Sequence, residues 1–83
     1  MKNVLICDDD KDIVNASNIY LNNPEYQLFE AFNGQEALDI ISRVDIHLVL
    51  LDIMMPKMDG IQTLSKLREY SNIPVILLTA KSE

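Results

Sequence analysis

The sequence predicts an α/β protein built on a four-stranded parallel sheet, and three observations lead to this prediction. Four short apolar runs alternate with segments of helical periodicity, in the order β-α-β-α-β-α-β. The connections are short enough for the right-handed crossovers of a parallel sheet. Asp8, Asp9 and Asp10 directly follow the first apolar run, and Asp52 follows the third. Because open α/β sheets bind ligands in the crevice at the carboxyl ends of their strands, these acids are candidate site residues.

The composition is that of one small globular domain. The chain has 83 residues, of which 48% are hydrophobic and 24% are charged, a balance that argues against disorder. Its net charge of −6 has the wrong sign for binding a phosphate backbone, so we expect no direct contact with nucleic acid. Cys7 is the only cysteine, which excludes an intrachain disulfide, and no signal peptide or membrane-length apolar run is present. We therefore expect a cytoplasmic protein that does not contact the membrane.

The first half of the chain predicts two strands and two helices. Residues 4–7 form an apolar run typical of a buried strand, and residues 26–32 are aromatic-rich and partly alternating, as in a less completely covered strand. Between them, residues 12–21 show helical spacing, and Asn22-Asn23-Pro24 ends that helix. The less polar face of this first helix carries Ile13, Ala16, Ser17, Tyr20 and Leu21. The second helix begins at Asn33 with Glu36 in a capping-box variant, and its apolar face carries Ala37, Leu38, Ile41 and Val44.

The second half predicts a central strand, a helix and a last strand. Residues 46–51 are apolar except His47, which we interpret as a structural histidine because no second His or Cys lies at ligand spacing. Asp59 with Gln62 predicts a helix start, followed by an apolar side with Ile61, Leu64 and Leu67. The last strand spans residues 75–78, after Pro74.

The candidate site consists of Asp8, Asp9 and Asp52. Three carboxylates a few ångströms apart need a counter-ion or a shared proton. A hard cation held by oxygens is the natural counter-ion, and Mg²⁺ is the usual one where a phosphoryl group also binds. Acids at strand ends are also ordinary helix caps, and we assign that role to Asp10 or Asp12.

Three motifs, taken in order and spacing, resemble the receiver domain of two-component response regulators. They are VLICDDD at 4–10, LLDIMMP at 50–56 with Asp59-Gly60, and LLTA at 77–80. The resemblance implies a flavodoxin-like (CheY-like) sheet of order 2-1-3-4. It also implies that residues 1–83 are the N-terminal two-thirds of a receiver domain, with the fifth strand and the last two helices missing. The wording around Asp52 is closest to the subfamily that carries a winged-helix DNA-binding domain.

The resemblance also implies a role for each site residue. Asp52 would be the phosphoacceptor, taking a phosphoryl group from a sensor histidine kinase. Asp8, Asp9, Asp52 and the backbone carbonyl of Met54 would hold Mg²⁺, and the Thr79 hydroxyl would contact the phosphoryl group. The chain would then be a regulatory domain rather than an enzyme, and its parent a cytoplasmic transcriptional regulator that binds DNA through another domain.

Three alternatives to this interpretation are a fragment that cannot be phosphorylated, a phosphohydrolase and a calcium-binding loop. A truncated or engineered fragment could be phosphorylation-incompetent and self-associate through the exposed fourth strand, by edge pairing or exchange of elements. A Mg²⁺-dependent phosphohydrolase would generally place a second acid two residues after the nucleophile, where this chain has Met54. Asp8, Asp10 and Asp12 have the first offsets of an EF-hand loop, but Ile13 and Ile19 stand where its glycine and glutamate are required.

Overall fold

The computed structural model describes residues 2–53, 60–69 and 71–78. Strands and helices alternate through this part of the chain in the predicted order. The elements are β1 (Lys2–Cys7), α1 (Lys11–Tyr20), β2 (Tyr26–Ala31), α2 (Gly34–Arg43), β3 (Leu48–Asp52), α3 (Gly60–Arg68) and β4 (Val75–Leu78).

The strands form one parallel sheet in the order β2-β1-β3-β4, which confirms the predicted topology. β1 lies in the interior of the sheet, between β2 and β3. Its residues Val4 to Cys7 are all buried, as expected for a strand covered on both faces. The central position of β1 explains why its sequence is a continuous apolar run.

The helices cover the two faces of the sheet unequally. α2 and α3 lie on one face, where their apolar side chains meet every second residue of the strands, because successive side chains of a strand point to opposite faces. The buried members of this cluster are Leu5, Cys7, Ala31, Ala37, Ile46, Val49 and Leu51. α1 lies against β1 and contributes the buried Val14. The opposite face therefore has one described helix where the first has two.

Side-chain caps begin the first two helices. The Asp10 carboxylate accepts a hydrogen bond from the Asp12 backbone N–H at 2.9 Å, so Asp10 is the cap of α1. The Asn33 side chain accepts from the Glu36 N–H at 2.9 Å. The Glu36 carboxylate reaches back to the Phe32 N–H at 2.8 Å, one residue earlier than in a standard capping box. Both caps fix where the chain turns from strand to helix.

The predicted helix faces were partly wrong. Ile13 is 39% exposed and Ala16 is exposed, whereas Val14 is the buried residue of α1. In α3, Ile61 is 52% exposed, and Thr63 and Leu67 are buried. On a short helix, the apolar residues form a wide stripe, and hydrophobicity does not show which part of that stripe is buried. The direction in which the helix leaves its cap decides which of these residues contact the sheet.

β3 begins at Leu48, two residues later than predicted, because side chains replace backbone groups at its start. The His47 Nδ1 accepts the Asn3 backbone N–H at 2.9 Å, and the Asn3 side chain donates to the Asp45 carbonyl at 2.9 Å. The backbone ladder itself begins with the His47 N–H, which donates to the Asn3 carbonyl at 2.8 Å. These contacts agree with the interpretation of His47 as a structural residue.

Candidate functional site

The pairing of β1 with β3 places two of the candidate acids side by side. Cys7 pairs with Leu51 in the parallel register, so Asp8, which directly follows β1, lies beside Asp52, the last residue of β3. Paired strands lie about 4.8 Å apart, and residues at equivalent positions point to the same face. The register alone thus brings the side chains of Asp8 and Asp52 together.

The third acid, Asp9, joins them where the chain leaves β1. One carboxylate oxygen from each of Asp8, Asp9 and Asp52 lies within 4.8 Å of the other two. Asp8 is 6% exposed and Asp52 is 7% exposed, whereas Asp9 is exposed. The cluster is therefore a half-open site, with two acids set into the protein and one at its rim.

Backbone hydrogen bonds orient Asp8. Its N–H donates to the Ala31 carbonyl at 3.0 Å, which continues the contact between β1 and β2 by one residue. Its Oδ1 accepts the Asp10 N–H at 2.9 Å. The turn that leads into α1 therefore holds one oxygen of this carboxylate in place.

The electrostatics of the cluster disfavour full ionisation in the absence of a cation. Burial raises the pKa of Asp8, and the negative charges of Asp52, Asp9 and Asp10 raise it further. The hydrogen bond from the Asp10 amide opposes part of this shift. A hard divalent cation would relieve the repulsion, and the donor set of carboxylate oxygens has the chemistry that Mg²⁺ requires.

Cys7, which lies beside the acids, does not belong to the ligand set. Its side chain is fully buried. Burial raises the pKa of the thiol to about 12, and the charge of Asp8 is the next largest cause. A thiol with this pKa stays protonated at neutral pH and is a poor ligand and nucleophile, in agreement with its interpretation as a packing residue.

Two predicted site residues, Met54 and Thr79, lie outside the described residues. The same holds for Asp59, predicted to begin α3. Their predicted positions and roles stay predictions.

Gly60 is a site neighbour to which sequence analysis assigned no role. It is the first residue of α3, it is buried, and its N–H donates to the Ile53 carbonyl at 2.8 Å. A Cβ atom at this position would lie 2.4 Å from the carbonyl oxygen of Asp52. The signal in the sequence was a glycine at the first position of a helix that follows an acid-bearing strand, but spacing cannot reveal so close a contact.

The chain belongs to the family of response regulator receiver domains, whose model matches residues 4–83. It is therefore the receiver of a two-component signalling system. Over 80 residues it is 44% identical to the transcriptional regulatory protein SrrA of Staphylococcus aureus. That alignment covers 96% of this chain and 33% of the relative, so the chain spans about one third of the length of the curated relatives it matches.

Solved receiver structures have the same fold. A response regulator receiver domain from Methanoculleus marisnigri is 37% identical with a TM-score of 0.90, and the match covers 100% of this chain and 70% of that chain. TrrA from Thermotoga maritima, in complex with Mg²⁺ and BeF, is 35% identical with a TM-score of 0.89. That match covers 99% of this chain and 72% of that chain. These similarities confirm the flavodoxin-like fold predicted for the chain. Within the described residues, no helix has the length and apolar character needed to cross a membrane.

Replacing Asp8 by Asn should stabilise the metal-free protein at neutral pH. Because the folded-state pKa of Asp8 is raised, its stabilising contribution is full only below the unfolded-state pKa, about 3.9, and is lost as the pH rises through the folded-state value. Asn keeps an oxygen that can accept the Asp10 N–H and carries no charge. Urea unfolding with a chelator should therefore give D8N a higher free energy of unfolding at pH 7, with the difference vanishing toward pH 3.

D39N is the matched control, since it removes one charge from an exposed position of α2. An equal gain in D8N and D39N would mean that net charge, and not the cluster, is responsible. A loss of stability in D8N at pH 7 would contradict the electrostatic argument itself.

Proposed function

We propose that this chain is a phosphoacceptor receiver, in which Asp52 takes a phosphoryl group from a phosphohistidine of a sensor kinase. The observation that carries the proposal is the convergence of the Asp8, Asp9 and Asp52 carboxylates within 4.8 Å, at the carboxyl ends of β1 and β3. Family membership supports the reaction class, and the geometry provides a nucleophile next to two further oxygen donors.

Asp8, Asp9 and Asp52 would hold Mg²⁺, with the Met54 carbonyl as a further ligand. When bound, the ion would neutralise the carboxylates and the oxygens of an incoming phosphoryl group. Mg²⁺ usually keeps several waters and binds through one or two carboxylates plus phosphate oxygens, which suits a half-open cluster with one exposed acid. The Mg²⁺–BeF complex of TrrA supports the same ion in this chain.

In the proposed transfer, a carboxylate oxygen of Asp52 attacks phosphorus. An O–P bond forms to Asp52 as the P–N bond to the donor imidazole breaks, and the departing imidazole takes up a proton. Asp52 is 7% exposed and lies at the carboxyl end of β3, where a donor would approach it. Such transfers depend mainly on positioning and charge neutralisation, and the Thr79 hydroxyl would contribute by donating to a phosphoryl oxygen.

The relatives of this chain support a proposal for the function of the intact protein. SrrA is a transcriptional regulatory protein and is about three times as long as the region matched here. We propose that the parent of this chain likewise regulates transcription in the cytoplasm, through a DNA-binding domain of the winged-helix type outside residues 1–83. The net charge of −6 argues that the receiver itself does not contact DNA.

Removing the Asp9 carboxylate should weaken Mg²⁺ binding. Asp9 is the exposed member of the cluster, so D9A deletes a ligand without opening the core. Even outer-shell changes reduce metal affinity by about 10-fold to 100-fold, and we expect at least that loss in a calorimetric Mg²⁺ titration. D12A removes an exposed acid three residues further along the chain, in the first turn of α1, and should leave the affinity unchanged. Equal affinities for D9A and the unmodified chain would exclude Asp9 as a ligand.

Asp52 should be required for binding a phosphoryl analogue. Beryllofluoride mimics a phosphoryl group on a carboxylate, and we expect it to shift the amide NMR signals of Asp8, Asp9 and Asp52 only when Mg²⁺ is present. D52N should abolish these shifts while its spectrum stays that of a folded protein. An unmodified chain that binds Mg²⁺ but gives no shifts with beryllofluoride would be a phosphorylation-incompetent fragment.

A second candidate property, self-association through β4, is favoured by the exposed edge of that strand. Pro74 and Leu78 accept hydrogen bonds from the β3 side of the sheet. In a parallel strand, the backbone groups of successive residues point alternately to one neighbouring strand and to the other. Since the carbonyls of Pro74 and Leu78 point to β3, the N–H and C=O groups of Val75 and Leu77 point away from it. No described strand pairs with that edge, and Ile76 is 50% exposed. Such an edge is a template for another strand, and we propose that a second copy of this chain occupies it.

Replacing Leu77 by Pro should block this association. Proline removes only the outward N–H of Leu77 and is tolerated on an edge strand, while L77A serves as control because it truncates the same side chain and keeps the N–H. Light scattering after size exclusion should show dimers or larger species for the unmodified chain and L77A, and monomers for L77P. A folded unmodified chain that stays monomeric at micromolar concentration would disprove the association.

A further inference from the structure

We infer that Gly60 is a positioning residue for the acidic cluster, because the absence of a side chain lets α3 begin against the backbone that carries Asp52. A Cβ atom on Gly60 would lie 2.4 Å from the Asp52 carbonyl oxygen and 2.6 Å from the Ile53 Cα. Both are backbone atoms and cannot rotate aside as a side chain could. Any larger residue at position 60 must therefore move either α3 or the end of β3.

A backbone hydrogen bond also joins Gly60 to the residue that follows Asp52. The Gly60 N–H donates to the Ile53 carbonyl at 2.8 Å, so the residue after Asp52 is held both by steric contact and by a directed bond. The two contacts hold Ile53 and Gly60 next to each other. The six residues between them lie outside the described part of the chain, and the first of these is Met54.

The position of the Asp52 carboxylate depends on these contacts between Gly60 and the end of β3. Asp52 is the last residue of β3, and its carboxylate oxygen must stay within 4.8 Å of those of Asp8 and Asp9 to share a cation. The pairing of β1 with β3 fixes Asp52 from one side, and Gly60 fixes the peptide that follows it from another. Misplacement by about 1 Å is enough to impair a preorganised site.

G60A tests the inference, which rests on the proposed metal site. Helix propensity favours alanine over glycine, so a loss in G60A has to come from the contact with Asp52. We expect Mg²⁺ titration to show at least about tenfold weaker binding, as for other residues that orient metal ligands. The NMR shifts that Mg²⁺ causes at Asp8 and Asp9 should change in G60A, because the third carboxylate is displaced.

V49A is the matched control. Val49 is buried in the middle of β3 on the face covered by α2 and α3, so its truncation lowers stability without touching the acids. Urea unfolding without metal gives the loss of stability for each variant, and V49A should keep the Mg²⁺ affinity of the unmodified chain. Where a variant is partly unfolded, all titrations are run in sucrose, which favours the compact state.

The outcomes separate this inference from the proposed function. An unmodified chain that does not bind Mg²⁺ would overturn the metal site itself. A chain that binds Mg²⁺ normally while G60A binds equally well, or loses no more affinity than V49A, would overturn only the role of Gly60. Failure of G60A to fold in sucrose, where V49A folds, would make Gly60 a purely structural residue and would also overturn the inference.

Discussion

The parallel pairing of β1 with β3 is the constraint on which the rest of the site depends. It aligns Cys7 with Leu51 and thereby sets Asp8 beside Asp52. Side chains alternate along a strand, so a shift of one residue in this pairing would turn one of the two acids to the opposite face. Such a shift would also move every buried side chain of β1 to the other covered face, where it would have to pack against different neighbours. The hydrophobic core and the acidic cluster are therefore specified by the same register.

The cluster lowers the stability of the metal-free fold. Two of its three acids are almost fully buried, and the pKa of Asp8 is raised by burial and by the neighbouring charges. The Asp10 amide offsets part of this cost. A cation that bound the cluster would stabilise the folded state by mass action, so metal binding and folding are expected to be coupled. Repulsion between the acids in the metal-free protein would thus provide part of the driving force for binding the proposed cation.

The connections that leave the strands are controlled by short-range contacts at the starts of the helices. Asp10 caps α1 and also donates its amide to Asp8. At the start of α2, the Asn33 side chain accepts the Glu36 N–H, and the Glu36 carboxylate accepts the Phe32 N–H. α3 instead begins at a glycine whose backbone lies directly against the end of β3. In the first and last of these cases the residue that begins a helix also acts on a member of the acidic cluster, which links the secondary structure to the chemistry of the site.

Much of this molecule could be predicted from local patterns. The apolar runs identified four strands, their order along the chain, and the ends at which Asp8, Asp9 and Asp52 would converge, because open parallel sheets bind ligands at the carboxyl ends of their strands. The cap at Asn33, and a cap at either Asp10 or Asp12, followed from the preferences of short polar side chains, and the structure selected Asp10.

Other features were decided only by the tertiary structure. Val14 rather than Ile13 faces the sheet, because the direction in which α1 leaves its cap selects among several apolar residues. β3 starts at Leu48, because the His47 ring and the Asn3 side chain replace backbone partners across a separation of 44 residues. The role of Gly60 depends on an approach of 2.4 Å between backbone segments. The sequence by itself determined the elements and the chemical character of the site, since these follow from periodicity and residue type, and the order of the strands in the sheet followed from the resemblance to receiver domains. The helix orientations and the closeness of the contacts were decided by the folded structure, because they depend on distances between residues far apart in the chain.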